Sequence, residues 1–296
     1  MNDAPINYID RTRAYYLALG YDNPYEWAHF EDVPFTSLEK PLTECRVSLV
    51  TTAALYHPDY GDQGPGAVYN SNAKFYEVYS MSVEGAQDVR ISHLAIDRDH
   101  TTAEDQGAWF PLDQLKHAEA EGRIGEISKR FHGFPTNRSQ KTTLAEYCPD
   151  LLARVQEDKA DAVVLVPNCP VCHQSISLAA RHLEENGVPT VLMGAAKDIV
   201  ELAGVPRFLF SDFPLGNSAG SPNDLVSQKK TLGLALNVLA EAEGPRTTFQ
   251  SPLVWRDDPG WKQDYSNAEK LTSAEIAAAR TEFDTAKHIA QNKRAE

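Results

Sequence analysis

Basic side chains are in short supply. The 296-residue chain sets 28 Lys and Arg against 42 Asp and Glu, a formal charge of −14, and so negative a field repels nucleic-acid phosphates and anionic lipid surfaces. Neither is expected as a partner; a small anionic substrate stays admissible, because a local pocket with Arg or Lys overrides net charge. Cysteine is scarce too. Cys45, Cys148, Cys169 and Cys172 are the only four, which argues against a disulfide-stapled secreted scaffold and leaves cysteine reactive or simply buried. Long apolar runs are missing: Ala162–Val166 falls far below the roughly 20 residues that span a bilayer. Met1–Asp10 has neither the basic start nor the apolar stretch of a secretory signal, so a cytoplasmic protein is expected. No internal repeat or low-complexity tract stands out.

What is present is ordinary for a folded globular protein. Hydrophobic residues make up 42% and charged residues 24%, values that leave little room for a largely disordered chain. Residues 1–43 are dense in aromatics and prolines, with a short helix over Arg11–Leu19, and read as an arm that packs on the body or on a neighbouring subunit. Arg46–Ala53 is a β-branched run that suits a buried strand, and Asp88–Ile96 reads as another. Helices are expected over Pro111–Gly122 and Leu144–Lys159, a buried strand over Asp161–Pro167, a helix over 170–186 ending at Asn186-Gly187, a strand over Val188–Met193, a short helix over Lys197–Ala203, a strand over Arg207–Phe210, and helices over 225–242 and about 273–292. Such alternation implies a mostly parallel, Rossmann-like α/β sheet. The expected architecture is two similar halves around a cleft: 44–160, then 161–245 with the Cys-x-x-Cys, followed by a loop and helix over 246–296. Loops 57–66 and 211–223 would border the cleft, since α/β ligands bind beyond the carboxyl ends of strands.

The chemistry concentrates in Val166-Pro-Asn-Cys-Pro-Val-Cys-His-Gln174. Cys169 ends a buried strand at the mouth of a helix opened by Pro170, so unpaired N–H groups and the helix dipole favour its thiolate. That makes Cys169 the nucleophile. Cys172, one turn on, is spaced to resolve a mixed disulfide, and His173 can supply a proton or hold the thiolate. A structural zinc site normally needs a second ligand pair, and there is none; inert helix-cap cysteines are the plain alternative. Cys45 and Cys148 read as small buried residues. A second cluster, Ser92–Asp105, crowds His93, Asp97, Asp99, His100, Glu104 and Asp105 past a strand. It suits acid–base work, a divalent metal or a solvated loop.

Together, the Val-Thr-Thr-Ala strand, the Arg-Ile-Ser-His segment with acids and Thr after it, Phe110-Pro111, Asp161–Gln174, Gly187-Val-Pro-Thr190 and Arg207–Gly216 resemble the selenoprotein B family of glycine, sarcosine, betaine and D-proline reductases, over roughly residues 44–240. The resemblance implies reductive cleavage of a carbon–heteroatom bond. Cys169 stands at the selenocysteine position and Cys172 at the following cysteine, while Ser175 takes the place of a further cysteine, so this is a cysteine-form member. It also draws the His93–Asp105 cluster into the same site. His93 joins Cys169, Cys172 and His173 as a catalytic candidate, with Asp97, His100, Arg138 and His57 as substrate-binding ones.

The named reductases rely on a separate pyruvoyl-bearing subunit, and nothing here resembles a self-cleaving pyruvoyl precursor. No tightly bound cofactor is expected and a metal is not excluded. A small-molecule substrate, an external thiol reductant or thioredoxin-like donor, a partner reductase subunit and a homo-oligomer are the expected associations.

Three other readings compete. A cysteine-dependent racemase or lyase would need a second cysteine facing Cys169, for which Cys45 is the only distant option. A redox-sensing subunit would use the pair only as a switch. A metal-dependent hydrolase would be built on His93, Asp97 and His100.

Overall fold

The structure, a computed structural model, describes residues 4–23, 25–64, 70–91 and 95–295. In chain order its strands are β1 Arg46–Thr51, β2 Ala54–Leu55, β3 Tyr79–Ser82, β4 Val89–Arg90, β5 Glu126–Ile127, β6 Arg130–Gly133, β7 Ala162–Val166, β8 Thr190–Gly194, β9 Arg207–Phe210 and β10 Thr247–Gln250. The helices are α1 Tyr8–Ala18, α2 Leu112–Ala120, α3 Gln140–Thr142, α4 Cys148–Glu157, α5 Pro170–Glu185, α6 Lys197–Ala203, α7 Leu225–Glu241 and α8 Ser273–Ala295.

A strand that is apolar on both faces belongs inside a sheet, and β7, β8 and β9 are buried at every position. They sit centrally in one sheet ordered β10-β9-β8-β7-β1-β6-β3, with β5 also on β1. All its pairings are parallel except that of β3 with β6. Period-two alternation divides the core. Val47, Leu49, Val164, Val191 and Met193 meet Leu112, Leu115, Leu232 and Leu236 of α2 and α7 on one face. On the other, Val50, Val163, Leu165, Leu192 and Phe208 meet Leu151, Ile176, Leu183 and Val200 of α4, α5 and α6.

The fold is therefore a mixed α/β structure on a mostly parallel sheet, as expected, but the two halves share that sheet instead of closing on each other as lobes. β1 and β7 pair from Val47↔Ala162 to Thr51↔Val166, because each covers the other's hydrogen-bonding edge. The strand expected over 88–96 contracts to Val89–Arg90, paired antiparallel with β2; residues 92–94 lie outside the described residues. Among the described residues no helix is long and apolar enough to cross a membrane.

Residues 4–23 and 25–43 lie along the body. Asp198 of α6 accepts from the Ile9 amide at 2.7 Å, Gln174 of α5 from the Ala28 amide at 2.8 Å, and Glu184 of α5 from the Thr36 amide at 2.6 Å. Ile6 and Tyr8 of this arm, Trp261 and Tyr265 of the tail, and Ala195, Ile199 and Leu215 form a third apolar cluster.

Candidate active site

β7 ends at Val166, and after Pro167 and Asn168 the chain turns extended at Cys169 (φ −124°, ψ 170°) before Pro170 opens α5. Pro suits that first position, where its missing N–H costs nothing. Cys169 is the helix cap, with its Sγ accepting from the Cys172 amide at 3.2 Å. One turn of helix brings the Cys172 Sγ to 2.6 Å from it, neither cysteine being in a disulfide. Cys172 is wholly buried and reaches Thr136 Oγ1 at 3.1 Å, whereas Cys169 keeps 5% of its surface exposed.

That cap contact is the one expected to favour thiolate, yet the balance goes the other way. Burial raises the Cys169 thiol well above its ordinary value, the Cys172 sulfur adds to the rise, and the Cys172 amide opposes it only partly. Both of the larger effects favour the thiol over the thiolate.

Cys169 opens onto a cavity of about 1260 Å³ over the carboxyl ends of β1, β6 and β7, the general place for ligands in such sheets. The arm, the segment 95–100, the loop 136–139 and α8 wall it. Arg138 sits in that wall. It donates to the Tyr16 hydroxyl at 2.8 Å, and its guanidinium lies 5.1 Å from the ring centres of both Tyr16 and Phe283. Tyr25 donates to the Arg138 carbonyl at 2.7 Å and accepts from Gln174 at 2.5 Å, tying the arm to α5.

His100 shares the cavity wall with Cys169. Its Nδ1 lies 2.9 Å from Asp97 Oδ1 and its Nε2 3.2 Å from Asp264 Oδ2. Asp97 is fixed by its amide, which donates to the Leu215 carbonyl at 3.0 Å, and burial raises its carboxyl. Tyr265 also lines the cavity and donates to the Ala95 carbonyl at 3.1 Å.

His173 takes a different place. It is wholly buried, and its Nε2 accepts from the Ala195 and Ala196 amides at 2.9 and 3.2 Å, so Nδ1 carries the proton and donates to the Cys169 carbonyl at 2.8 Å. Both nitrogens are engaged with backbone, and burial lowers the imidazole to about 4. His57 stacks on Tyr60, 4.1 Å between rings, and is not on the cavity wall. His93 lies outside the described residues.

Loop 211–223 does not border the cavity either. It is largely buried and buttresses the site from behind, with Asn217 accepting from Thr101 at 3.2 Å and Ser218 donating to the Pro167 carbonyl at 2.8 Å. Cys45 precedes β1 at the amino end of the sheet, whereas Cys169 lies past the carboxyl end of β7. A six-residue strand of roughly 20 Å separates those ends, so Cys45 cannot face Cys169 as a racemase would require. Among the described residues no group of three or more His, Cys, Asp and Glu is placed to hold a metal.

Thr136, Asp264, Tyr265, Tyr16 and Phe283 are site residues that sequence reasoning did not single out. Only the aromatic density of the arm gave a signal, and it pointed at no one residue.

The model of the glycine/sarcosine/betaine reductase selenoprotein B family matches residues 18–168. The chain belongs to this family. The match stops at Asn168, one residue before Cys169, so membership rests on the first sheet strands and the arm. Relatives extend the likeness. The D-proline reductase subunit gamma of Acetoanaerobium sticklandii is 27% identical over 208 residues, 70% of this chain and 83% of that protein. The glycine reductase complex component B subunit gamma of Peptoclostridium acidaminophilum is 23% identical over 239 residues, 78% of this chain and 53% of the relative. The sarcosine reductase complex component B subunit beta of the same organism is 23% identical over 243 residues, again 78% and 53%. The chain thus spans most of the first relative and about half the length of the other two. No solved structure matches it.

Proposed function

We propose that this chain is the thiol-bearing component of a reductase that cleaves a carbon–heteroatom bond of a small substrate, with Cys169 as nucleophile and Cys172 as resolving thiol. One observation carries the reading: the only sulfur on the cavity wall among the described residues has a second thiol sulfur 2.6 Å behind it. In the first step the Cys169 thiol displaces the heteroatom group from carbon, giving a thioether and the protonated leaving group. In the second, Cys172 attacks the thioether sulfur. The carbon leaves with the electron pair and takes up a proton, and a Cys169–Cys172 disulfide forms. An external dithiol or a thioredoxin-like donor returns both thiols. The relatives' names, all of them reductase subunits, support a partner subunit.

An α-halo ketone tests this without the partner, because its own carbonyl stabilises the departing carbanion. With 2-bromoacetophenone, mass spectrometry is expected to find a thioether on Cys169, then acetophenone in solution and a Cys169–Cys172 disulfide. C172S is expected to stop at the thioether, and C169S to form neither. Acetophenone release by C169S at the unaltered rate would overturn the reading.

A further inference from the structure

The second step needs a proton at the cleaved carbon, and the residues around the cavity are unequal in their ability to provide it. His173 has both ring nitrogens committed to backbone and no surface in the cavity. Tyr265 faces the cavity, but its hydroxyl is spent on the Ala95 carbonyl, and burial holds it well above its ordinary value. Cys172 is wholly buried behind Cys169. His100 differs in being on the wall, with 8% of its side chain exposed, and in having both ring nitrogens against carboxylates, which can hold a proton where the backbone partners of His173 cannot.

We propose that His100, held between Asp97 and Asp264, is the proton donor to the cleaved carbon; the proposal rests on the two-thiol reading above. Its two contacts reach carboxylate oxygens, and satisfying both takes either two ring N–H donors or a protonated carboxylate opposite a bare nitrogen. In either form the array stores a proton at the cavity wall. The groups that face it are Asp97 from its own turn, the Trp261 ring with centres 6.0 Å apart, and Asp264, which Lys270 holds at 2.5 Å on its other oxygen; Asp99 acts on the Asp97 carboxyl. Asp97 is buried, its Oδ1 meets the ring at 2.9 Å, and its Oδ2 has no side-chain partner among the described residues. His100, Asp264, Tyr265 and Cys169 line the same cavity. The proton balance closes: the array's proton passes to carbon, the Cys172 thiol releases one as the disulfide forms, and the array takes one back from solvent in the cavity.

Single-turnover reaction with 2-bromoacetophenone separates the two steps. H100Q is expected still to form the Cys169 thioether and to release acetophenone from it about 100-fold more slowly than the unsubstituted protein, the scale of a lost general acid. D264N, altered at a half-exposed site, is expected to slow release less and to move the high-pH limb of its pH profile to lower pH, because a carboxylate facing the ring is gone. Acetophenone release by H100Q at the unaltered rate would overturn the proposal, and so would a D264N profile that coincides with the unsubstituted protein's should H100Q fail to fold. Absence of any thioether, or of any release from the unsubstituted protein, would overturn the two-thiol reading instead.

Discussion

The imidazole of His173 donates from Nδ1 to the carbonyl of Cys169 at 2.8 Å while its Nε2 accepts from the Ala195 and Ala196 amides, so one ring joins the cap of α5 to the turn after β8. Gly194 makes room for it. A Cβ there would lie 2.8 Å from the ring's Cδ2 and Nε2, inside any tolerable contact. The sulfur's position is thereby set from behind by a residue that never reaches the cavity.

Removing that ring leaves two buried amides without an acceptor. H173L is expected to cost roughly 2–4 kcal/mol in urea unfolding, and G194A about 1–3 kcal/mol through displacement of the same ring. Because the two act on one contact, the double variant should cost clearly less than the sum. Additivity would mean that Gly194 does not serve His173.

Acid should weaken the fold through the same residue. The folded value of His173 is about 4 against 6.5 for the free side chain, so as pH falls the unfolded chain takes the proton first. Stability is whole above pH 6.5 and drains between 6.5 and 4, by up to about 3 kcal/mol from this group. His132, buried between Ser80 and Asp158 and lowered by burial, pushes the same way. Urea midpoints taken across that window should fall with pH, and H173N should flatten the fall.

How much of this was legible follows from what each residue touches. β7, β8 and β9 announce themselves because both their faces are apolar, and α6 and β9 match the sequence reading to the residue. β6 does not announce itself. Arg130 and His132 look unfit for a sheet until Asp158, from the end of α4, accepts from Arg130 at 2.9 Å and lies 3.3 Å from His132. The cap position of Cys169 was visible in the strand–Pro junction, but the shift of its thiol was not, since the dipole is local and the burial comes from the arm and tail. Asp264 and Phe283 carry no local pattern at all. They reach the site only because the tail folds back over the sheet.

The arm is anchored by a buried ion pair that is expensive to break. Arg207 Nη1 meets Glu184 Oε1 at 2.8 Å, its Nη2 donates to the Thr36 carbonyl at 2.7 Å, and its guanidinium lies 4.1 Å from the centre of the Phe35 ring. E184Q strands a buried guanidinium and is expected to cost about 3–5 kcal/mol, with protease cleavage appearing first in residues 30–43. E184L combined with R207M should recover much of that loss, because no charge is then left unpaired. A double variant as unstable as E184Q would show that the arm depends on the charges themselves.

Access to Cys169 depends on α8. Phe283 packs edge-on to Tyr16 and to Tyr21, 5.1 Å between ring centres in each case, and with Arg138 against it this one side chain clips α8 to the arm. F283A should loosen the cavity mouth and speed iodoacetamide labelling of Cys169 several-fold, with little change in unfolding because the ring is only half-buried. Labelling reads thiolate, and burial has raised this thiol, so the rate in the unsubstituted protein should keep climbing with pH beyond the ordinary thiol value of about 8.5. Cys45 and Cys148 are buried and raised as well, and should stay silent. A plateau near neutral pH would mean that the cap amide and the helix dipole outweigh burial at Cys169; a plateau that appears only in F283A would mean that α8 itself keeps the proton on the sulfur.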